Sequence, residues 1–164
     1  MNRIGLVPCL LLALTLALQA QTSSGAKLNI TGDIPQPMTL TAGDLAKMPR
    51  ASVAWSEHGP KVKYQGVLLY EVLKRAGAPL DKQLSGKALA SYVLAEARDG
   101  YQATFTLAEI DPAFTDNQIL IADTADGQPL PESQAPLRLI IPGDKKGARA
   151  VRMLERLTVV RLRK

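Results

Sequence analysis

Four basic side chains cluster within eight positions, at Lys145, Lys146, Arg149 and Arg152, around two glycines, Gly143 and Gly147. Backbone donors exposed at glycine turns and guanidinium forks together suit an oxyanion, so this stretch reads as a candidate anion site. His58 is the only histidine and follows Ser56 and Glu57. Metal centres built on paired histidines are therefore excluded, and a Ser/His/acid triad would have to use His58. Neighbouring residues of a strand point to opposite faces, and no nucleophile-elbow motif is present. His58 thus reads as a loop residue or a ligand-contacting donor rather than a catalyst, and no catalytic or metal-ligating residue is expected. The single cysteine, Cys9, lies in an apolar amino-terminal run.

The elements that must position the basic loop are written around it. Leu137, Leu139, Ile140 and Ile141 form a short apolar run that suits a strand covered on both faces, ended by Pro142. Upstream, Lys27–Ile30 reads as a first strand. Thr41 followed by Asp44 has the form of a capping box for a short helix to Met48, and Thr106 with Glu109 repeats it. Ala51–Ser56 and Val62–Gln65 read as strands joined through Gly59-Pro60, with Trp55 as a core anchor. Gly66–Gly77 has the helical spacing of Leu69, Val72, Leu73 and Ala76, with Lys74 and Arg75 in the last turn. Ala88–Glu96 and Tyr101–Phe105 flank an Asp99-Gly100 hairpin signal, Gln118–Ala122 is a strand before the Asp126-Gly127 turn, and Leu157–Leu162 is a last strand. The scattered aspartates Asp99, Asp111, Asp116, Asp123 and Asp126 read as turn-makers. Short strands interleaved with short helices predict one mixed-sheet α+β domain over 27–164.

Residues 1–20 have the pattern of a signal peptide: Asn2-Arg3, the apolar Leu6–Leu18 run, then a polar stretch. Cleavage is expected after Ala20, with Ala26 a second place. The run is too short to span a membrane and no second one follows, so a periplasmic or secreted protein is expected. Removing that segment removes Cys9, which leaves no disulfide and no thiolate. The chain carries a net charge of +5, and from Arg138 onward nine Lys/Arg face only Asp144 and Glu155. Such an end suits an anionic small ligand or an acidic protein partner. Nucleic acid is not expected, since no aromatic residues interleave with the cations.

The order of these pieces resembles the oxidoreductase molybdopterin-binding domain of the sulfite oxidase family, especially small exported members. The carrying residues are Gly66-Val-Leu-Leu and its helix, Asp99-Gly-Tyr101 before Thr106–Glu109, Ile119–Ala122 with Asp126–Leu130, and Leu137–Gly143 through Gly147-Ala-Arg149 and Val151-Arg152. The resemblance implies a mixed α+β fold, a molybdenum-pterin cofactor and a cysteine thiolate on the metal from the segment matching Ser52–Gly59. By position it places the pterin-phosphate contacts on Gly143, Arg149 and Arg152. No cysteine stands in 52–59 here, and Arg152-Met153 occupies the place of the family's lysine-aromatic pair. A non-catalytic, pseudoenzyme-like binding domain is therefore the first expectation. A molybdopterin oxidoreductase that uses Ser56, His58 or the cofactor's own sulfurs at the metal is the second.

Overall fold

The computed structural model describes residues 25–57 and 59–162. The expected signal peptide with Cys9, and also His58, Arg163 and Lys164, lie outside the described residues.

Among the described residues, ten strands form two sheets. The first runs β2 (Met38–Thr41), β1 (Lys27–Gly32), β10 (Leu154–Arg161), β5 (Ser91–Ala97) and β6 (Gln102–Thr106). It is mixed, because β1 and β10 pair parallel while the other neighbours are antiparallel. The second runs β3 (Arg50–Trp55), β4 (Val62–Leu68), β7 (Leu120–Ala125) and β8 (Gln128–Pro129), with β9 (Arg138–Ile140) also on β7. One continuous apolar core draws Leu28, Ile30, Val93, Leu157 and Val159 from the first sheet and Val67, Leu120, Ile121 and Leu139 from the second. The fold is thus the mixed-sheet α+β domain that the sequence predicts.

Strand β5 shows the period of two most clearly, burying Ser91, Val93, Ala95 and Ala97 while the residues between are half-exposed. In β10 the buried set breaks step between Leu154 and Leu157, and the pairing register to β5 shifts between Leu154 and Arg156. An extra residue in one strand reverses the alternation, as a bulge requires.

Both capping boxes form. The Thr41 hydroxyl accepts from the Asp44 amide at 3.2 Å and the Asp44 carboxylate accepts from the Thr41 amide at 2.9 Å, opening helix α1 (Ala42–Ala46). Thr106 and Glu109 exchange the same pair of bonds, but the element they open is a single 3-10 turn, Leu107–Glu109.

The long helix read from Gly66 begins later. Residues 66–68 complete β4, and helix α2 spans Leu69–Arg75. Pairing with β7 wins over helical periodicity here, since β4 matches Gly66 to Ala122, Val67 to Ile121 and Leu68 to Leu120. The Leu69 amide then donates to the Ile119 carbonyl at 2.9 Å. Likewise residues 86–90 form a 3-10 turn before β5, and β7 runs to Ala125 instead of ending at Ala122. Among the aspartates, Asp99 and Asp111 accept from the amides of Tyr101 and Ala113 two residues on, while Asp126 accepts from that of Lys63 in β4. Asp123 differs: it stands in β7 and holds Arg50 by two bonds of 2.6 Å.

Candidate functional site: an arginine pair on Glu57

Strand β9 delivers the loop that follows it. The Leu139 amide bonds the Val151 carbonyl and the Leu154 amide bonds the Leu137 carbonyl, both at 2.8 Å, so residues 142–151 return beside the strand they left. Within that excursion Gly147–Arg149 form a 3-10 turn. The Gly143 amide donates to Asn117 Oδ1 at 3.1 Å, which fixes the break after Pro142.

The loop's two arginines do different work. Arg149 donates to Asp144 through Nε at 2.9 Å and a terminal nitrogen at 2.6 Å, and to Glu109 at 2.8 Å. Its guanidinium also lies 5.0 Å from the centre of the Phe105 ring. Arg149 is therefore a strut that ties the loop to β6 and the turn after it, and it faces a groove shared with Thr104, Thr106 and Glu109. Its own pKa is raised, chiefly by the Asp144 bonds. Arg152 turns instead towards a cleft of about 340 Å³ lined by Glu57, Asp99, Tyr101, Ser133 and Gly147. Lys145 and Lys146 are exposed, and among the described residues no carboxylate pairs with either. Of the five residues read from the sequence, the four that are described do not converge: Arg149 and Arg152 line separate clefts, Gly143 is bound to Asn117, and Lys145 stands in solvent, while His58 lies outside the described residues.

What converges is a set the sequence reading did not single out. Arg138, only 2% exposed, donates to Glu57 Oε2 at 2.8 Å, to Gln134 Oε1 at 3.0 Å and to the Tyr64 hydroxyl at 3.3 Å. Arg152 donates to the same Oε2 at 2.9 Å. The Arg138 guanidinium packs 5.1 Å from the Trp55 ring and 5.8 Å from that of Tyr64, so two aromatic quadrupoles help hold a cation out of water. Its Nε has no hydrogen-bond partner. The signal was in the sequence: a charged residue inside an apolar strand must be paired if the strand is buried. Trp55 is the core anchor expected of it.

Glu57 owes its position to a missing side chain. A Cβ on Gly147 would stand 2.6 Å from Glu57 Cγ and 2.7 Å from Cδ, so the side chain packs directly against the glycine. Partial burial raises the Glu57 pKa, but the hydrogen bonds from Arg152 and Arg138 outweigh it and hold the carboxyl below its ordinary value. Burial likewise raises that of Glu109, and the bonds from Arg149 and Thr106 bring it below.

Depressed folded-state values stabilise the fold above the ordinary carboxylate pKa, and that contribution is lost as pH falls through the folded-state values. The melting temperature is accordingly expected to drop as the pH is lowered below about 4.5, the ordinary glutamate value. Thermal melts from pH 7 downward check this, and Glu57→Gln is expected to flatten the acid limb. An unchanged limb in that variant means that Glu57 is not among the groups responsible.

The chain matches the family model described as the oxidoreductase molybdopterin binding domain over residues 16–164. It belongs to that family. Among solved structures, the sulfane dehydrogenase SoxCD from Paracoccus pantotrophus shares its fold, with a TM-score of 0.65 and 23% identity over 84% of this chain. The match spans 38% of the SoxCD chain, so most of that protein has no counterpart in the matched region. No curated protein matches the chain.

The family's metal centre finds no matching donor set here. The segment expected to supply a thiolate carries Trp55, Ser56 and Glu57, and no cysteine stands anywhere after Cys9. Glu57 is held by two guanidiniums, and among the described residues no three His, Cys, Asp or Glu side chains group as metal ligands. Arg149, expected on the pterin phosphate, already carries Asp144 and Glu109, whose charges oppose a second anion there. These residues do not fit a thiolate-ligated molybdenum-pterin group.

Proposed function

We propose that this molybdopterin-binding-family domain is a non-catalytic, exported binding module that takes a small anion in the cleft beside Arg152. One observation carries the reading: two arginines converge on a single carboxylate oxygen at the cleft wall, leaving that trio with a net positive charge. A buried cation surrounded by aromatic rings and joined by a second, half-exposed cation attracts anions, and the exposed Lys145 and Lys146 add a positive field from the same loop. The Leu6–Leu18 run supports export. An acidic protein partner would draw on the same exposed lysines.

Metal and pterin analysis of the protein made in a cell that assembles the molybdenum cofactor tests this reading. Neither molybdenum nor pterin is expected. Stoichiometric molybdenum with turnover of an artificial electron acceptor overturns the non-catalytic reading and turns attention to Ser56, Glu57 and His58 as ligands.

A further inference from the structure

We infer that Arg138 and Arg152, with Gln134 orienting Arg138, form a carboxylate seat that Glu57 fills in the free chain. A small monocarboxylate entering by the cleft takes the same seat in exchange. The inference rests on the functional reading above and names the ligand class of that site.

The geometry of Glu57 is itself a picture of the bound ligand. Its Oε2 accepts from both guanidiniums at 2.8 and 2.9 Å, while no hydrogen bond reaches Oε1 among the described residues. The carboxylate is approached from the cleft, which Glu57 lines, and its side chain is 29% exposed. Behind it, Arg138 is buried to 98% of its surface, and its Nε has no partner among the described residues.

Two features select a carboxylate over a tetrahedral oxyanion. Glu57 packs so closely on Gly147 that a carbon added there would stand 2.6 to 2.7 Å from its Cγ, Cδ and Oε1, which leaves a narrow slot. A planar group fits such a slot, whereas sulfate or phosphate projects oxygens out of the plane. Asp99 also lines the cleft, and a second negative charge there disfavours a dianion. Ser133 and Tyr101 remain to contact the rest of the ligand, although the Tyr101 hydroxyl already donates to the Ala148 carbonyl.

A purely structural tie between the end of β3 and strand β9 would look similar in one respect, since its loss also destabilises. It differs in its response to a free carboxylate. Glu57→Ala removes the internal carboxylate and keeps both arginines in the chain, so the full-length variant is expected to melt below wild type and to recover with acetate at constant ionic strength. Sulfate and chloride are expected not to restore it. Trp55 is the chain's only tryptophan and packs on Arg138, so its fluorescence should titrate with acetate. The half-saturating acetate concentration is expected to be on the order of tenfold lower in Glu57→Ala than in wild type, where Glu57 competes.

Equal responses to acetate and sulfate, or no saturable response at all, overturn the seat. Should Glu57→Ala fail to fold, Glu57→Gln keeps the side chain's length without its charge and competes more weakly for the seat, and the same acetate-selective response is expected. Its absence there is equally fatal. A protein that carries molybdenum and pterin yet shows the acetate response overturns the functional reading and leaves the seat standing. A cofactor-free protein without that response overturns the seat alone.

Discussion

Arg138→Leu is expected to destabilise the fold by about 3 kcal/mol, the lower end of the range for removing one partner of a buried ion pair. The low end applies because Glu57 keeps its bond to Arg152 and is part-exposed, so it is not stranded without a counter-charge. Two other acceptors and two ring faces lose their partner at once: Gln134, the Tyr64 hydroxyl, and the faces of Trp55 and Tyr64. Leucine also leaves part of the guanidinium's volume empty, which adds a cavity cost. Arg138→Lys retains the charge but cannot reach Glu57, Gln134 and Tyr64 together from one planar fork. It is expected to recover only part of the loss. Urea unfolding followed by Trp55 fluorescence measures both. A neutral Arg138→Leu would mean that desolvating the guanidinium costs as much as its bonds return, and the pair would then be kept for something other than stability.

That residue also shows where sequence reading reaches its limit. The run from Leu137 to Ile141 was legible as a buried strand, and Pro142 as its end, because both follow from side-chain polarity and from proline's missing donor. The arginine inside the run was legible only as a charge. Its partner Glu57 lies 81 residues away, and which distant carboxylate meets a buried cation is settled by pairing of β9 with β7 and of β7 with β4. Local chemistry fixed the caps at Thr41 and Thr106 for the opposite reason, since their partners are three residues off. Lys145, Arg149 and Arg152, neighbours in sequence, part in direction in the fold. Proximity in sequence says nothing of which way a side chain leaves a 3-10 turn, and Arg149 leaves towards Asp144 and Glu109 while Arg152 leaves towards Glu57.

The start of helix α2 failed on a different competition, and the residue that decides it supports the other large effect. Gly66→Ala is expected to cost about 3 kcal/mol, at or above the upper end of ordinary overpacking. A Cβ at this position would stand 1.9 Å from the Ile121 carbonyl oxygen and 2.8 Å from the Ala122 Cα. Both are backbone atoms of β7, so no rotamer change relieves the clash and the strands must part. The register between β4 and β7 already shifts beside this residue, between Gln65 and Gly66, which is what so close an approach requires. Separation there would also move Tyr64, two residues along β4, and with it a ring and a hydroxyl that hold Arg138. The loss should therefore appear twice, as a lower urea midpoint and as a changed Trp55 emission in the folded state. Gly43→Ala is the control: its added carbon meets nothing nearer than Thr41 Oγ1 at 3.7 Å, and in helix α1 alanine is favoured over glycine by about 1 kcal/mol. If Gly66→Ala were as mild as that control, the β4–β7 contact could not be the close approach on which the placement of Tyr64 and Arg138 depends.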